Sequence, residues 1–103
     1  MRDLAEIRND LKDIKYYYSR KSTFDEASDY LGIPNNIIVK VKIYNEAMQD
    51  APPKLYDIYY SLYVKNYTQE SLADKLGFTL DYIQKANAEL IRYIQIKRLE
   101  NIS

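Results

Sequence analysis

The stretch that most constrains this chain runs from Tyr67 to Leu90, YTQESLADKLGFTLDYIQKANAEL. Its spacing predicts two helices joined by a tight turn. Thr68 is an N-cap, because its hydroxyl can accept a hydrogen bond from a helical N–H that has no partner in the first turn. Leu72, Ala73 and Leu76 then place small or apolar side chains on one face. Gly77 follows the last periodic residue, where a left-handed backbone costs glycine little. Phe78 is expected to return to the core. Thr79 caps a second helix, which carries Tyr82, Ile83, Ala86 and Leu90 at helical spacing.

The details of that stretch are those of a helix-turn-helix, in which the second helix enters the major groove of DNA. Ala73, four residues before the glycine, lets the two helices approach closely. Ile83, six residues after it, pins the second helix.

Upstream, residues 2–20 predict a first helix. Leu4, Ile7, Leu11, Ile14 and Tyr18 recur at steps of three and four, with charged residues between them. Two readings of this seam stand: one helix laid on the core of its own domain, or a dimer seam, which is short for a coiled coil acting alone. Tyr16, Tyr17 and Tyr18 end the helix, and neighbours about 100° apart cannot all face the core. Thr23 caps a short segment, FDEASDYL, that ends at Gly32. A third helix is expected from Pro34 to about Asp50. Its run Ile37, Ile38, Val39, Val41 and Ile43 has β-branched character, but it is long for a strand and lacks turn signals. Ala51-Pro52-Pro53 breaks the chain. Residues 54–66 form a fourth helix with Leu55, Ile58, Tyr59, Leu62 and Tyr63 on one face, and Tyr56 and Tyr60 off it. The last helix extends to about Leu99, with Leu90, Ile91, Ile94 and Ile96 as further apolar surface.

Sliding the sequence against itself by 45 residues pairs Thr23 with Thr68, Asp29 with Asp74, Leu31 with Leu76, Gly32 with Gly77, Ile38 with Ile83 and Lys40 with Lys85. A random alignment of that length gives roughly one or two identities. Both glycines of the protein fall at the equivalent turn. The fold expected is therefore all-α, about six helices in two tandem units of a helix followed by a helix-turn-helix. Residues 1–50 and 54–103 make the two halves of one compact unit. In the second copy, the residues of the second helix that face outward are Thr79, Asp81, Tyr82, Gln84, Lys85, Asn87 and Ala88. Gln and Asn pair bidentately with adenine, and Lys reaches guanine or phosphate. In the first copy the corresponding positions, Pro34, Asn36, Ile37, Val39, Lys40 and Ile43, are mostly apolar. The expectation is that the second copy reads DNA and that the first is structural, with Ile37, Val39 and Ile43 buried.

Composition sets limits on function. There is no cysteine and no histidine, so disulfides, thiolate metal sites and the commonest general base are all excluded. With no glycine-rich phosphate loop and no convergent carboxylate pair, an enzyme is not expected, nor a cofactor or metal. Asp25, Glu26, Glu70 and Asp74 read as charges favoured by the helix dipole. MRDLAEIRND is amphipathic and of mixed charge, unlike a signal peptide. No apolar run approaches the roughly 20 residues of a membrane span, so a cytoplasmic protein without membrane contact is expected. Net charge is zero, with 15 basic and 15 acidic residues. That argues against indiscriminate nucleic-acid binding, which needs a basic surface.

The segment YTQESLADKLGFTLDYIQKANAELIRYI resembles region 4 of bacterial sigma-70-type factors, and the sigma-like regulators of phages and mobile elements of Gram-positive bacteria. The shared pattern is an aromatic-rich helix, a T-x-E-x-x-A-x-x-L-G turn and a long final helix. TFDEASDYLGIPNNIIVKV is similar to the helix-turn-helix of sigma region 3, in the right order before it. The resemblance spans about residues 23–95 and implies promoter DNA binding, or contact with RNA polymerase, by the final helix pair, with recognition carried by residues 79–88. Nothing in the sequence resembles the promoter-melting region, so a small regulator is expected and not a complete sigma factor.

Two functions follow as expectations. One is a DNA-binding transcriptional regulator, as a homodimer on double-stranded DNA. In it, Lys65, Tyr67 and Thr68 touch backbone phosphate while Gln84 and Lys85 read bases. The other is a protein-interaction module on the same fold, using its tyrosine-rich surface to bind RNA polymerase, a repressor or another phage protein.

Overall fold

The structure, a computed structural model, describes the backbone of residues 3–20 and 35–102, with side chains for 3–20 and 36–97. Five helices occur among these residues: α1 (Leu4–Ser19), α2 (Asn35–Met48), α3 (Pro53–Tyr59), α4 (Gln69–Leu76) and α5 (Leu80–Ile102). α3 passes directly into a π-helical turn at Tyr60–Val64. The fold is all-α. The predicted short helix after Thr23, with its Gly32 turn, lies outside the described residues. The β-branched run of residues 37–43 is helical, since its apolar members serve the core at helical and not at strand spacing. No helix among the described residues is long and apolar enough to cross a membrane.

Local signals set the helix ends. Asp3 caps α1 by accepting a hydrogen bond from the Glu6 N–H at 2.8 Å. Pro53 opens α3 at a position where its missing N–H costs nothing. One helix bound agrees with the 45-residue offset: Ser19 and Val64 end their helices 45 positions apart.

The core joins both halves of the chain. Ile7, Leu11 and Ile14 of α1 are buried with Tyr44 and Met48 of α2, Ile58, Tyr59 and Leu62 of the third helical segment, and Leu90, Ile91 and Ile94 of α5. Each such side chain contributes roughly 1.5–3 kcal/mol by leaving water. The α1 seam is thus consumed within its own chain, and the dimer reading of that seam is overturned. The same packing settles where the long last helix goes: its second half lies on α1 and α2. Ile96 is the exception, 59% exposed on the outer side.

Two polar clusters fasten α2, one to α1 and the other to α1 and α3. Asp10, almost fully buried, accepts a hydrogen bond from the Tyr44 hydroxyl at 2.6 Å. Lys40 reaches Asp13 at 2.7 Å and Asp10 at 3.4 Å. On the other side of α2, Asn45 donates to the Tyr18 hydroxyl at 3.0 Å and accepts from the Tyr59 hydroxyl at 2.7 Å. Of the positions expected to be buried on α2, Ile37 and Ile43 are half-buried. Val39 is instead 50% exposed, because Val41 and Tyr44 already occupy the core-facing stripe.

Candidate nucleic-acid interface

The predicted helix-turn-helix is α4, its turn and the start of α5. Thr68 has extended backbone, and its Oγ1 accepts from the Ser71 N–H at 3.0 Å, so it caps α4 as its residue type demands. Leu72 and Ala73 are buried. Gly77 stands at φ +74°, in the left-handed region. Its N–H donates to the Asp74 carbonyl at 3.3 Å and the Phe78 N–H to the Ala73 carbonyl at 2.9 Å. These paired bonds form a Schellman turn, which satisfies the last helical carbonyls and needs a residue tolerant of positive φ. Thr79 Oγ1 then accepts from the Tyr82 N–H at 3.1 Å and starts α5.

Phe78 departs from expectation. It does not return to the core but is 48% exposed, and its neighbour Leu76 is 49% exposed. The space behind the turn is closed by Ile58 and Ile83, both buried. The Phe78 ring therefore turns outward and stacks on Tyr82, four residues on, at 4.4 Å between centroids and 25° between planes. Lys54 Nζ lies 5.2 Å from the other ring of this pair, Tyr82. Leu76, Phe78 and Tyr82 overlook a groove of about 240 Å³ whose lining also includes Lys54, Asp57, Ile58 and Ile83.

Ile83, Ala86 and Leu90 face inward on α5. Thr79, Asp81, Gln84, Lys85 and Ala88 are exposed, as the spacing predicts. Lys85 and Asp81 pair at 3.1 Å, one turn apart and both more than two-thirds exposed. So open a pair is worth little, and Lys85 can leave it for a phosphate or a base at small cost. The Gln84 amide has no partner among the described residues. Asn87 is different. It is half-buried, and its Oδ1 accepts from the Tyr63 hydroxyl at 2.5 Å. Asn87 thus fastens α5 to the π-helical turn and is not presented to a ligand. Tyr82 is exposed, as expected, and also lines the groove on the flank of α5.

The approach to α4 is held from α1. The π turn is closed by the Lys65 N–H on the Tyr60 carbonyl at 2.8 Å, and the Tyr67 N–H reaches back to Ser61 at 3.0 Å. Asn66 lies at φ +64°, where Asn is among the more tolerant non-glycine residues. Its side-chain amide donates to the Lys15 carbonyl at 3.2 Å, while Lys15 Nζ donates to the Tyr67 carbonyl at 3.3 Å. Lys65 is exposed, with its ammonium 5.6 Å from the Tyr60 ring centroid. The Tyr67 hydroxyl accepts from Lys75 Nζ at 2.5 Å, and this hydrogen bond lowers the phenol's pKa below its usual value.

Two cations on this surface were not singled out by the sequence reading. Lys75, in the last turn of α4, stands beside Tyr67. Arg92 is exposed, without a partner among the described residues, and continues the face of Lys85 and Ala88 along α5. The signal for Arg92 was its spacing of seven from Lys85, two helical turns on the same face. Gln84, Lys85, Ala88 and Arg92 are exposed along one face of α5, with Thr79 at its start, while Lys65 and Tyr67 stand ahead of α4 and Lys75 in its last turn. Compared with known proteins, the chain matches no family model, no curated sequence and no solved structure.

Proposed function

We propose that the chain is a small DNA-binding regulator that places the first turns of α5 in a major groove. One observation carries this reading: a helix-turn-helix capped at both starts leaves one face of α5 free, with Gln84, Lys85, Ala88 and Arg92 exposed on it. Gln84 supplies the bidentate amide that suits adenine, and Lys85 or Arg92 the donors that suit guanine or phosphate. Thr79 at the start of α5, and Lys65 and Lys75 before and on α4, are donors that suit backbone phosphate. Zero net charge means that affinity rests on this face and not on the field of the whole protein.

The test is a gel-shift selection from random duplexes, followed by the variant Gln84→Ala/Lys85→Ala. Specific binding should disappear while the melting temperature stays unchanged, because both side chains are exposed. Retained operator affinity in that variant would sink the assignment.

A second reading, a protein-docking module, is favoured by a separate observation. Leu76, Phe78, Leu80 and Tyr82 are large, apolar and more than a third exposed within seven positions. Contiguous apolar surface of this kind marks interaction sites. Salt dependence distinguishes the two readings. DNA affinity falls steeply as salt rises, through counterion release, whereas binding by an apolar face changes far less.

A further inference from the structure

An acid stands in the middle of the outward face of α5. At about 100° per residue, Asp81, Gln84, Lys85, Ala88 and Arg92 fall within an arc of about 100°, and Asp81 lies inside that arc and not at its rim. Glu89, the other acid between Leu80 and Arg92, falls outside the arc and lies 3.4 Å from Lys54. Asp81 comes two residues after Thr79, whose cap fixes the first turn of α5. It therefore sits at the end of the helix that meets base edges when a recognition helix enters the major groove. A carboxylate there faces the field of two phosphate backbones, which weakens binding to DNA in general. It is tolerated where a hydrogen-bond donor meets it.

Base edges in the major groove offer two kinds of donor, N4 of cytosine and N6 of adenine. Lys85 narrows the choice. Its ammonium stands 3.1 Å from the Asp81 carboxylate, one turn along, so an acceptor must lie directly beside the donor. In a G·C pair, guanine O6 and cytosine N4 are hydrogen-bonded to each other about 2.9 Å apart. Guanine also presents N7 as a second acceptor for the ammonium. In an A·T pair, the acceptor beside adenine N6 is thymine O4, flanked by the apolar methyl group, which is a poor neighbour for an ammonium.

We propose that Asp81 and Lys85 act as one unit that reads a single G·C pair, Lys85 Nζ donating to guanine O6 and the Asp81 carboxylate accepting from cytosine N4. Asp81 is then the residue that sets specificity, because its charge is repelled at every site that offers it no donor. This inference rests on the DNA reading above and adds to it the identity of one base pair. Gln84 is left for an adenine nearby. Arg92, two turns beyond Lys85 and about 10 Å further along the axis, is left for phosphate.

The experiment is fluorescence anisotropy of the full chain, at fixed salt, on three kinds of duplex: the one that random selection yields, its single-pair variants, and a scrambled sequence. The selected duplex should contain a G·C pair whose replacement by A·T weakens wild-type binding about tenfold or more. Asp81→Ala should cut that penalty to about threefold or less, and should bind the scrambled duplex several-fold tighter. Asp81→Asn keeps the size of the side chain and offers an amide suited to adenine, so it should move the preference at the same pair to A·T. Both changes fall at an exposed position, and circular dichroism should show the helix content unchanged. Glu46→Gln removes an exposed acidic charge from α2 and should alter neither the preference nor the scrambled affinity. Selection of no duplex by the wild-type chain overturns the DNA reading and this inference with it. A selected duplex that Asp81→Ala reads with the same preference at every pair overturns this inference alone, as does a gain on scrambled duplex that Glu46→Gln matches.

Discussion

The hydroxyl of Tyr44 donates to Asp10 Oδ2 at 2.6 Å across the contact of α1 with α2, and both residues are almost completely buried. A buried carboxylate is tolerable only when its lone pairs are engaged. Tyr44 engages one oxygen and Lys40 approaches the other at 3.4 Å. Asp10→Ala leaves the Tyr44 hydroxyl without its acceptor and should cost about 3 kcal/mol, the low end for breaking a buried pair, since Lys40 keeps Asp13. Tyr44→Phe should cost about 1–2 kcal/mol, the size of one lost hydrogen bond to a charged group. Urea denaturation of the two variants checks both the values and their order.

The two positive-φ positions among the described residues should respond differently to substitution. At Gly77 an added Cβ meets nothing within 4 Å, so Gly77→Ala pays only the left-handed backbone term, about 1 kcal/mol. Asn66→Gly relieves the backbone at φ +64° but removes the amide that donates to Lys15. If that bond anchors the entry to α4, Asn66→Gly should still destabilise. Hydrogen exchange should then show faster opening around residues 65–72, with α1 less affected. Equal or greater stability in Asn66→Gly would show that the anchor contributes no more than the backbone relief.

Alkali should unfold the protein. Burial raises the phenol pKa of Tyr59 and of Tyr63, opposed at Tyr63 by its hydrogen bond to Asn87. A raised folded-state pKa means that the folded chain holds these protons more tightly than the unfolded chain. The associated stability is complete below the ordinary phenol value of about 10 and is lost as pH rises above it. Lys40, raised chiefly by its hydrogen bond to Asp13, acts in the same direction. Stability measured from pH 8 upward should therefore stay level and then fall beyond about pH 10. Tyr59→Phe/Tyr63→Phe should fall less steeply.

Tyr67 should behave in the opposite sense. The Lys75 hydrogen bond lowers its pKa, so in a spectrophotometric titration it should ionise before Tyr59 and Tyr63. Lys75→Met should return it to the ordinary range. An unchanged first step of the titration in that variant would mean that the contact does not persist in solution.

Much of the fold was legible because it is decided locally. Thr68 and Thr79 cap their helices, Gly77 takes the left-handed turn and Pro53 opens α3, each through the chemistry of one residue and its nearest backbone neighbours. The face of Gln84, Lys85 and Ala88 followed from helical period alone. Other features depend on residues far apart in sequence. Asn87 looked free until Tyr63, 24 positions earlier, was placed beside it. Asp10 sits among charged residues at a position that reads as solvated, and only α2 makes it buried. The π turn at Tyr60–Val64 has no residue-level signal, since the extra residue per turn is absorbed where the chain must bend to reach α4.

The sequence by itself determined that the described segments are helices, where α4 and α5 begin, and which face of α5 points outward. Those choices rest on capping, on glycine's freedom and on apolar period, all settled within a few residues. Only the tertiary structure decided what each apolar surface is used for. It consumed the α1 seam in the core, where Ile7, Leu11 and Ile14 are buried with side chains of α2 and α5. It left Phe78 outside, because Ile58 and Ile83 had already filled the space behind the turn. Packing is a competition for one interior volume, and its outcome depends on every helix at once.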